Sequence, residues 1–109
     1  MSALLTLAAI NDRFRRSFIG GEVYLTRGIA DLPPLVQADI ILQVQGFETF
    51  TEGDDPYGEH DFGALDHPVA GKVFWKIDYY DPAKERGSED PLDPAQTCRV
   101  LTILLAEEW

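Results

Sequence analysis

Eleven residues, Gly71-Lys72-Val73-Phe74-Trp75-Lys76-Ile77-Asp78-Tyr79-Tyr80-Asp81, constrain this chain more than any other stretch. Successive side chains of a strand point to opposite faces, so Val73, Trp75, Ile77 and Tyr79 share one face and Phe74, Lys76, Asp78 and Tyr80 the other. The first face is core; the second is mixed, as suits an antiparallel sheet with one face partly wet. Thr97 to Ala106 is a second strong strand, with Val100, Leu101, Ile103, Leu104 and Leu105 mostly buried. Phe62 to Leu65 supplies a hairpin partner that turns around Asp66-His67-Pro68 to Gly71, and Glu22 to Arg27 is a shorter strand closed by Gly28.

Two helices precede and interrupt these strands. From about Ala3 to Ile19, the residues Leu4, Leu7, Ala8, Asn11, Phe14 and Phe18 fall at three- and four-residue steps, with Ser2 as N-cap and Gly20-Gly21 as the left-handed stop. Arg13, Arg15 and Arg16 near its end suit the helix dipole and form either a solvated face or an internal clamp on the acidic segment described below. A second helix enters at Asp31-Leu32-Pro33-Pro34 and ends near Gly46, with Leu35, Ile41 or Leu42, and Gln45 on its period and Asp39 and Gln43 toward water. Residues Pro82 to Gln96 hold three prolines and a Gly-Ser and form a long loop. The order helix, strand, helix, three strands predicts one α+β domain: an antiparallel sheet of about four strands with both helices packed on one face. A chain of 109 residues is long enough for one core and too short for two.

Nine Lys and Arg stand against nineteen Asp and Glu, a net charge of −10. Such a chain repels nucleic-acid phosphate, which argues against direct DNA or RNA binding and favours either plain solubility or docking on a basic partner. No run approaches the length of a membrane span. Ala3 to Ile10 has the look of a signal core, but no basic segment precedes it and Asn11-Asp12-Arg13-Phe14-Arg15-Arg16 stands where a cleavage site should be. The single Cys98, in an apolar strand, is expected to be a buried free thiol, and the expected location is the cytoplasm.

The densest chemistry lies in Gly53-Asp54-Asp55-Pro56-Tyr57-Gly58-Glu59-His60-Asp61-Phe62-Gly63, an acidic loop held to the core by Phe47, Phe50 and Phe62. Three readings fit it. As a metal site, His60, Asp61 and Asp55 are the ligands; imidazole with carboxylates suits one divalent transition metal such as Zn, Mn or Fe better than Ca. The EF-hand spacing, the HExxH pattern and any CxxC pair are all absent, however. As an acid/base site, Glu59 and Asp61 favour the charged form of His60, with Asp78, Tyr80 and Lys76 completing a pocket. No patterned nucleophile accompanies them, and no catalytic residue is assigned. The plain alternative is a turn network, in which Asp54 or Asp55 caps backbone N–H groups and His60 bonds a carboxylate.

The third reading is a partner-binding face. No Lys or Arg occurs between Gly28 and Gly71, a stretch carrying nine acids, and a second acidic group runs from Asp78 to Asp93. Asp54, Asp55, Tyr57, Glu59, Asp61, Asp78, Tyr80 and Asp81 form the expected contact surface for a basic, nucleic-acid-binding partner, carboxylates standing in for phosphates and aromatics for bases. No cofactor is needed.

Four segments together, Asn11 to Arg15, Asp54 to Gly63, Phe74 to Asp81, and Arg99 to Thr102 with Ala106-Glu107-Glu108, resemble motifs of a family of small uncharacterised proteins found on bacterial chromosomes, plasmids and phages. In that family the residues before the loop proline are usually Asn-Asp rather than Asp54-Asp55, and the chain often ends on Tyr rather than Trp109; the first change weakens a metal carry-over. The resemblance implies no established activity. Its mobile-element setting is compatible with a small acidic inhibitor of a host defence nuclease complex.

Overall fold

The computed structural model describes residues 6–109. Helix α1, Leu7–Ser17, is capped by Thr6, whose Oγ1 accepts the Ala9 N–H at 3.1 Å; the expected cap Ser2 and the apolar Leu4 lie outside the described residues. The left-handed stop is Phe18 rather than the glycine pair: φ is 60° and its N–H donates to the Phe14 carbonyl. Strand β1, Gly21–Leu25, follows, then a four-residue helix α2, Arg27–Ala30, and helix α3, Pro34–Gln45. Strands β2, Phe62–His67, β3, Gly71–Tyr80, and β4, Cys98–Leu105, complete the sheet, and a 3-10 turn, Ala106–Glu108, ends the chain.

The four strands lie in the order β1-β4-β3-β2. The β2–β3 and β3–β4 pairs are antiparallel, Phe62 opposite Lys76 and Trp75 opposite Ile103. β1 pairs with β4 in parallel, Val23 opposite Leu101, so the sheet is mixed and the all-antiparallel expectation is corrected. The reason is topological. α2 and α3 form a helical crossover that carries the chain from β1 to the far edge, and two hairpin connections then return it beside β1 in the same direction.

Three helices, not two, are present among the described residues. α2 stands where Gly28 was expected to close the strand. Glu108 holds it in place: its carboxylate accepts the Gly28 N–H at 2.9 Å, the Thr26 hydroxyl at 2.5 Å and the Leu105 N–H at 2.9 Å. All three helices contribute to one core, where Phe14, Ile29, Ile40 and Val44 meet Val73, Trp75, Ile77, Leu101 and Ile103. Burying such side chains stabilises by about 1.5–3 kcal/mol each. The helices therefore lie on one face of the sheet, as expected, but α3 is rotated from the expected face. Ile40 and Val44 are inside, whereas Leu35 and Leu42 are exposed.

Alternation along β3 places Val73, Trp75 and Ile77 in the core as predicted. The opposite face bears Phe62 and Phe74, against which Trp109 packs edge-on at 5.4 Å from each ring. Cys98 lies on this face too, only half-buried, its Sγ 3.1 Å from a Glu22 carboxylate oxygen. Burial and that carboxylate raise the thiol pKa, which leaves the sulfur an inert thiol.

Candidate functional site

The acidic loop is organised from beneath by α1. Asn11 and Asp12 are adjacent on that helix, and each anchors a chain of polar contacts. Asp12 accepts from the Arg15 guanidinium at 2.9 Å and lies 3.0 Å from His60 Nδ1 through both its oxygens. A carboxylate only accepts, so the Nδ1 proton belongs on the histidine. Asn11 donates to the Glu59 carbonyl at 2.9 Å and to the Tyr79 hydroxyl at 2.7 Å, while its own oxygen accepts from Arg99 Nε at 3.2 Å. Tyr79 in turn donates to Asp61 at 3.1 Å.

Arg15 is fully buried and is the keystone of the first chain. Besides Asp12 it donates to the Val44 carbonyl at 3.0 Å and the Phe47 carbonyl at 2.9 Å, holding the end of α3 and the start of the loop. Its guanidinium carbon lies 5.0 Å from the Trp75 ring centre and 5.4 Å from that of Phe50. Of the two readings of the arginine cluster, Arg15 follows the internal clamp, whereas Arg13 and Arg16 are exposed.

The loop's own residues are positioned by Asp55 and His60. Asp55 is buried, and its carboxylate accepts the N–H groups of Glu59 at 2.9 Å and His60 at 3.2 Å. This capping lets His60 adopt a left-handed backbone, φ 55°, which is strained for a residue with a Cβ. The imidazole stacks on Phe50 at 3.8 Å with an interplanar angle of 1°. Phe47 and Phe50 pack edge-on at 5.2 Å and lie against Trp75, so both anchor the loop as expected, whereas Phe62, expected as a third anchor, lies on the opposite sheet face against Phe74 and Trp109.

Burial raises the pKa of two loop carboxyls, Glu59 and Asp61. For Glu59 the charges of Asp61 and Asp55 add to that effect; for Asp61 the Tyr79 bond opposes it, while Asp55 and Asp78 add to it. Burial likewise pushes the Tyr79 phenol well above its ordinary value and lowers the pKa of Arg99.

The expected contact residues thus separate into inward and outward groups. Asp55, Glu59, His60 and Asp61 belong to the internal network. Asp54 and Tyr57 point to solvent, Tyr57 being 84% exposed. Asp78 and Tyr80 lie on the sheet face away from the helices, where Asp78 pairs with Lys76 at 3.1 Å. Asp81 caps the following turn, accepting the Glu85 N–H at 2.9 Å. The residues whose part in the network reasoning from sequence missed are Asn11, Asp12, Tyr79 and Arg99. One signal was available: a polar asparagine at an apolar step of a helix, which a packed core admits only with partners.

His60 Nε2 lies 3.8 Å from Asp55 Oδ2, while Asp61 turns to Tyr79. Among the described residues no three His, Cys, Asp or Glu side chains are grouped to hold a metal ion. A divalent transition metal at His60 and Asp55 would have to draw its other ligands from water or a partner. No Ser, Thr or Cys side chain among the described residues bonds to His60 as an activated nucleophile would.

A family model described as "Protein of unknown function (DUF3768)" matches residues 25–108, which includes the acidic loop, all of β2, β3 and β4, and the end of β1, but not α1. No curated protein and no solved structure matches the chain.

Proposed function

We propose that this chain, which belongs to the DUF3768 family of proteins of unknown function, is a small acidic protein-interaction module. It docks a carboxylate-rich face on a basic, nucleic-acid-binding surface of a partner protein. Covering such a surface would make it an inhibitor of that partner. The observation that carries the reading is where the positive charges go. Of nine Lys and Arg, Arg15 and Arg99 are buried inside the fold, and Arg16, Arg27, Lys76 and Lys84 each lie beside a surface carboxylate. The interior takes up Asp12, Asp55 and Asp61 along with the two arginines, so the outer surface keeps the strong acidic excess of the composition.

The loop tip is the centre of this face. Glu52, Asp54 and Tyr57 are exposed there, on a loop whose backbone the buried network already holds. A preordered tip loses little conformational entropy on docking, and an exposed tyrosine is a frequent binding anchor. Tyr79 is engaged internally with Asn11 and Asp61 and takes no part.

The test is affinity capture from a host lysate at low and high salt, using wild type, Glu52→Lys with Asp54→Lys, and Tyr57→Ala as baits. The expected result is one partner retained by wild type at low salt, released by salt or by added nucleic acid, and lost in the variants at unchanged melting temperature. Retention indifferent to salt, or equal in all three baits, overturns the reading.

A further inference from the structure

The geometry points to a second interaction surface, distinct from the loop tip: the open edge of β2 is built to take an extended, basic peptide segment as a fifth strand. The hydrogen-bond register decides which backbone groups are free. Ile77 N–H donates to the Asp61 carbonyl at 2.8 Å, and the pairing continues with Phe62 opposite Lys76. In an antiparallel ladder bonded pairs alternate with unbonded ones. Gly63, Leu65 and His67 therefore bond to β3, while the N–H and C=O groups of Phe62, Ala64 and Asp66 point away from it. Among the described residues these outward groups have no hydrogen-bond partner. Further along, the same side of β3 is occupied, since Ser88 N–H donates to the Tyr79 carbonyl at 3.0 Å. The open stretch is thus confined to β2, and its six residues run for about 20 Å at the usual rise of an antiparallel strand.

A groove of about 600 Å³ lies alongside this edge, between β2 and the end of α3. Leu42 and Phe47 form one wall and Ala64, Leu65 and Asp66 the other, with Glu48 at the rim. Leu42 is 67% exposed and, with the partly buried Phe47 and Leu65 beside it, gives the groove an apolar floor. A strand laid here would bond to Ala64 and Asp66 through its backbone. Alternate side chains would enter the groove over Leu42, Phe47 and Leu65, which is the usual division of labour in strand addition.

Charge selects the occupant. Every charged residue lining the groove is acidic, namely Glu48 and Asp66; the nearest cation to Glu48 is Arg16, at 3.9 Å across exposed side chains, too weak a pair to neutralise it. A second copy of this chain would bring the same acids and another net charge of −10 into the groove, so edge-to-edge pairing of two copies is disfavoured. An extended segment alternating apolar residues with Lys or Arg satisfies the backbone edge, the apolar wall and the acidic rim together.

The experiment selects binders from a phage-displayed library of random linear peptides of about twelve residues, long enough to span the edge, against the whole chain. Selected sequences are expected to be rich in Lys and Arg alternating with apolar residues. Their binding should shift the amide signals of Ala64 and Asp66. It should fall at least tenfold in Ala64→Pro, which removes an outward N–H while leaving the β2–β3 bonds intact, and in the doubly reversed Glu48→Lys, Asp66→Lys. The second variant keeps the test open if the proline disturbs the strand. Binding should be unchanged in Tyr57→Ala with Asp54→Lys, which separates this surface from the loop tip. Enrichment of no sequence or of acidic ones, binding that survives both groove variants, or a free protein already dimeric through β2 overturns the proposal.

Discussion

Arg15 and Asp61 show how single side chains set the energetics of the site. Arg15 is buried, yet it contacts a carboxylate, two carbonyls and two aromatic rings, so each of its three nitrogens reaches an acceptor. Replacing one partner of a buried charged network leaves the others desolvated and unpaired, typically at a cost of about 3–5 kcal/mol. Arg15→Met should therefore destabilise the fold by about that much in a urea titration, with the His60 signals shifting because Asp12 loses its second partner. A loss below about 1 kcal/mol would mean that Asp12 and the two carbonyls are readily solvated and that Arg15 is no clamp. Asp61 works in the opposite sense. Burial first, then the charges of Asp55 and Asp78, raise its pKa above the ordinary 3.8. A carboxyl that holds its proton more tightly when folded favours folding in acid. Between the unfolded and the folded pKa, stability contributed by this group falls as pH rises, and above the folded pKa the gain is absent. Asp61→Asn keeps an acceptor for Tyr79 and removes the titration. Its stability relative to wild type should move in the variant's favour as pH is raised from about 4 toward 7, measured as paired urea midpoints. Parallel curves for the two proteins would contradict the assignment.

At the scale of the element, β2 with its turn shows what the sequence made legible and what it withheld. The hairpin from Phe62 through Pro68 to Gly71 was readable because turn chemistry is local: Gly71 has φ 79°, a left-handed position at the end of a three-residue connection. The long strands were readable for a similar reason, since burial on one face imprints a period of two on β3 and an apolar run on β4. The acidic loop announced itself by density alone. Features made by distant partners were not readable. α2 exists because Glu108 reaches back across the chain to Gly28, and β1 is parallel because the crossover is helical. The network gathers Asn11, Asp12, Tyr79 and Arg99 around the loop from three separate segments. Gly63 belongs with these. A Cβ there would lie 2.8 Å from Phe47 Cε1 and closer still to the Trp75 indole. Gly63→Ala should cost about 3 kcal/mol, the upper end of the range of an overpacked core, whereas Gly71→Ala has open space around it and should cost about 1 kcal/mol for the backbone alone. Thermal unfolding of the two variants side by side checks the order. Equal losses would mean that Trp75 and Phe47 move aside freely.

For the whole molecule, one charge distribution governs both folding and association, and salt separates them. The surface carries most of nineteen acids, while Arg15 and Arg99 are withdrawn into the interior. Compaction brings those acids together, so self-repulsion opposes the folded state and should relax as ions screen it. The pairs that matter inside the fold, above all Arg15 with Asp12, are shielded from solvent and are screened much less. Raising sodium chloride from about 10 mM to about 300 mM, which shortens the Debye length from about 30 Å to below 10 Å, should therefore increase the melting temperature by several degrees. A domain this size moves roughly 4–8 °C for each kcal/mol. Docking on a basic partner should respond with the opposite sign, because the same screening removes the attraction that brings the two surfaces together. A fall in melting temperature with salt would mean that surface ion pairs such as Lys84 with Glu22 outweigh the repulsion. In that case the acidic surface is already neutralised by its own chain and has little left to offer a partner. Stabilisation by salt together with loss of partner binding over the same range is the combination that an unbalanced acidic surface requires.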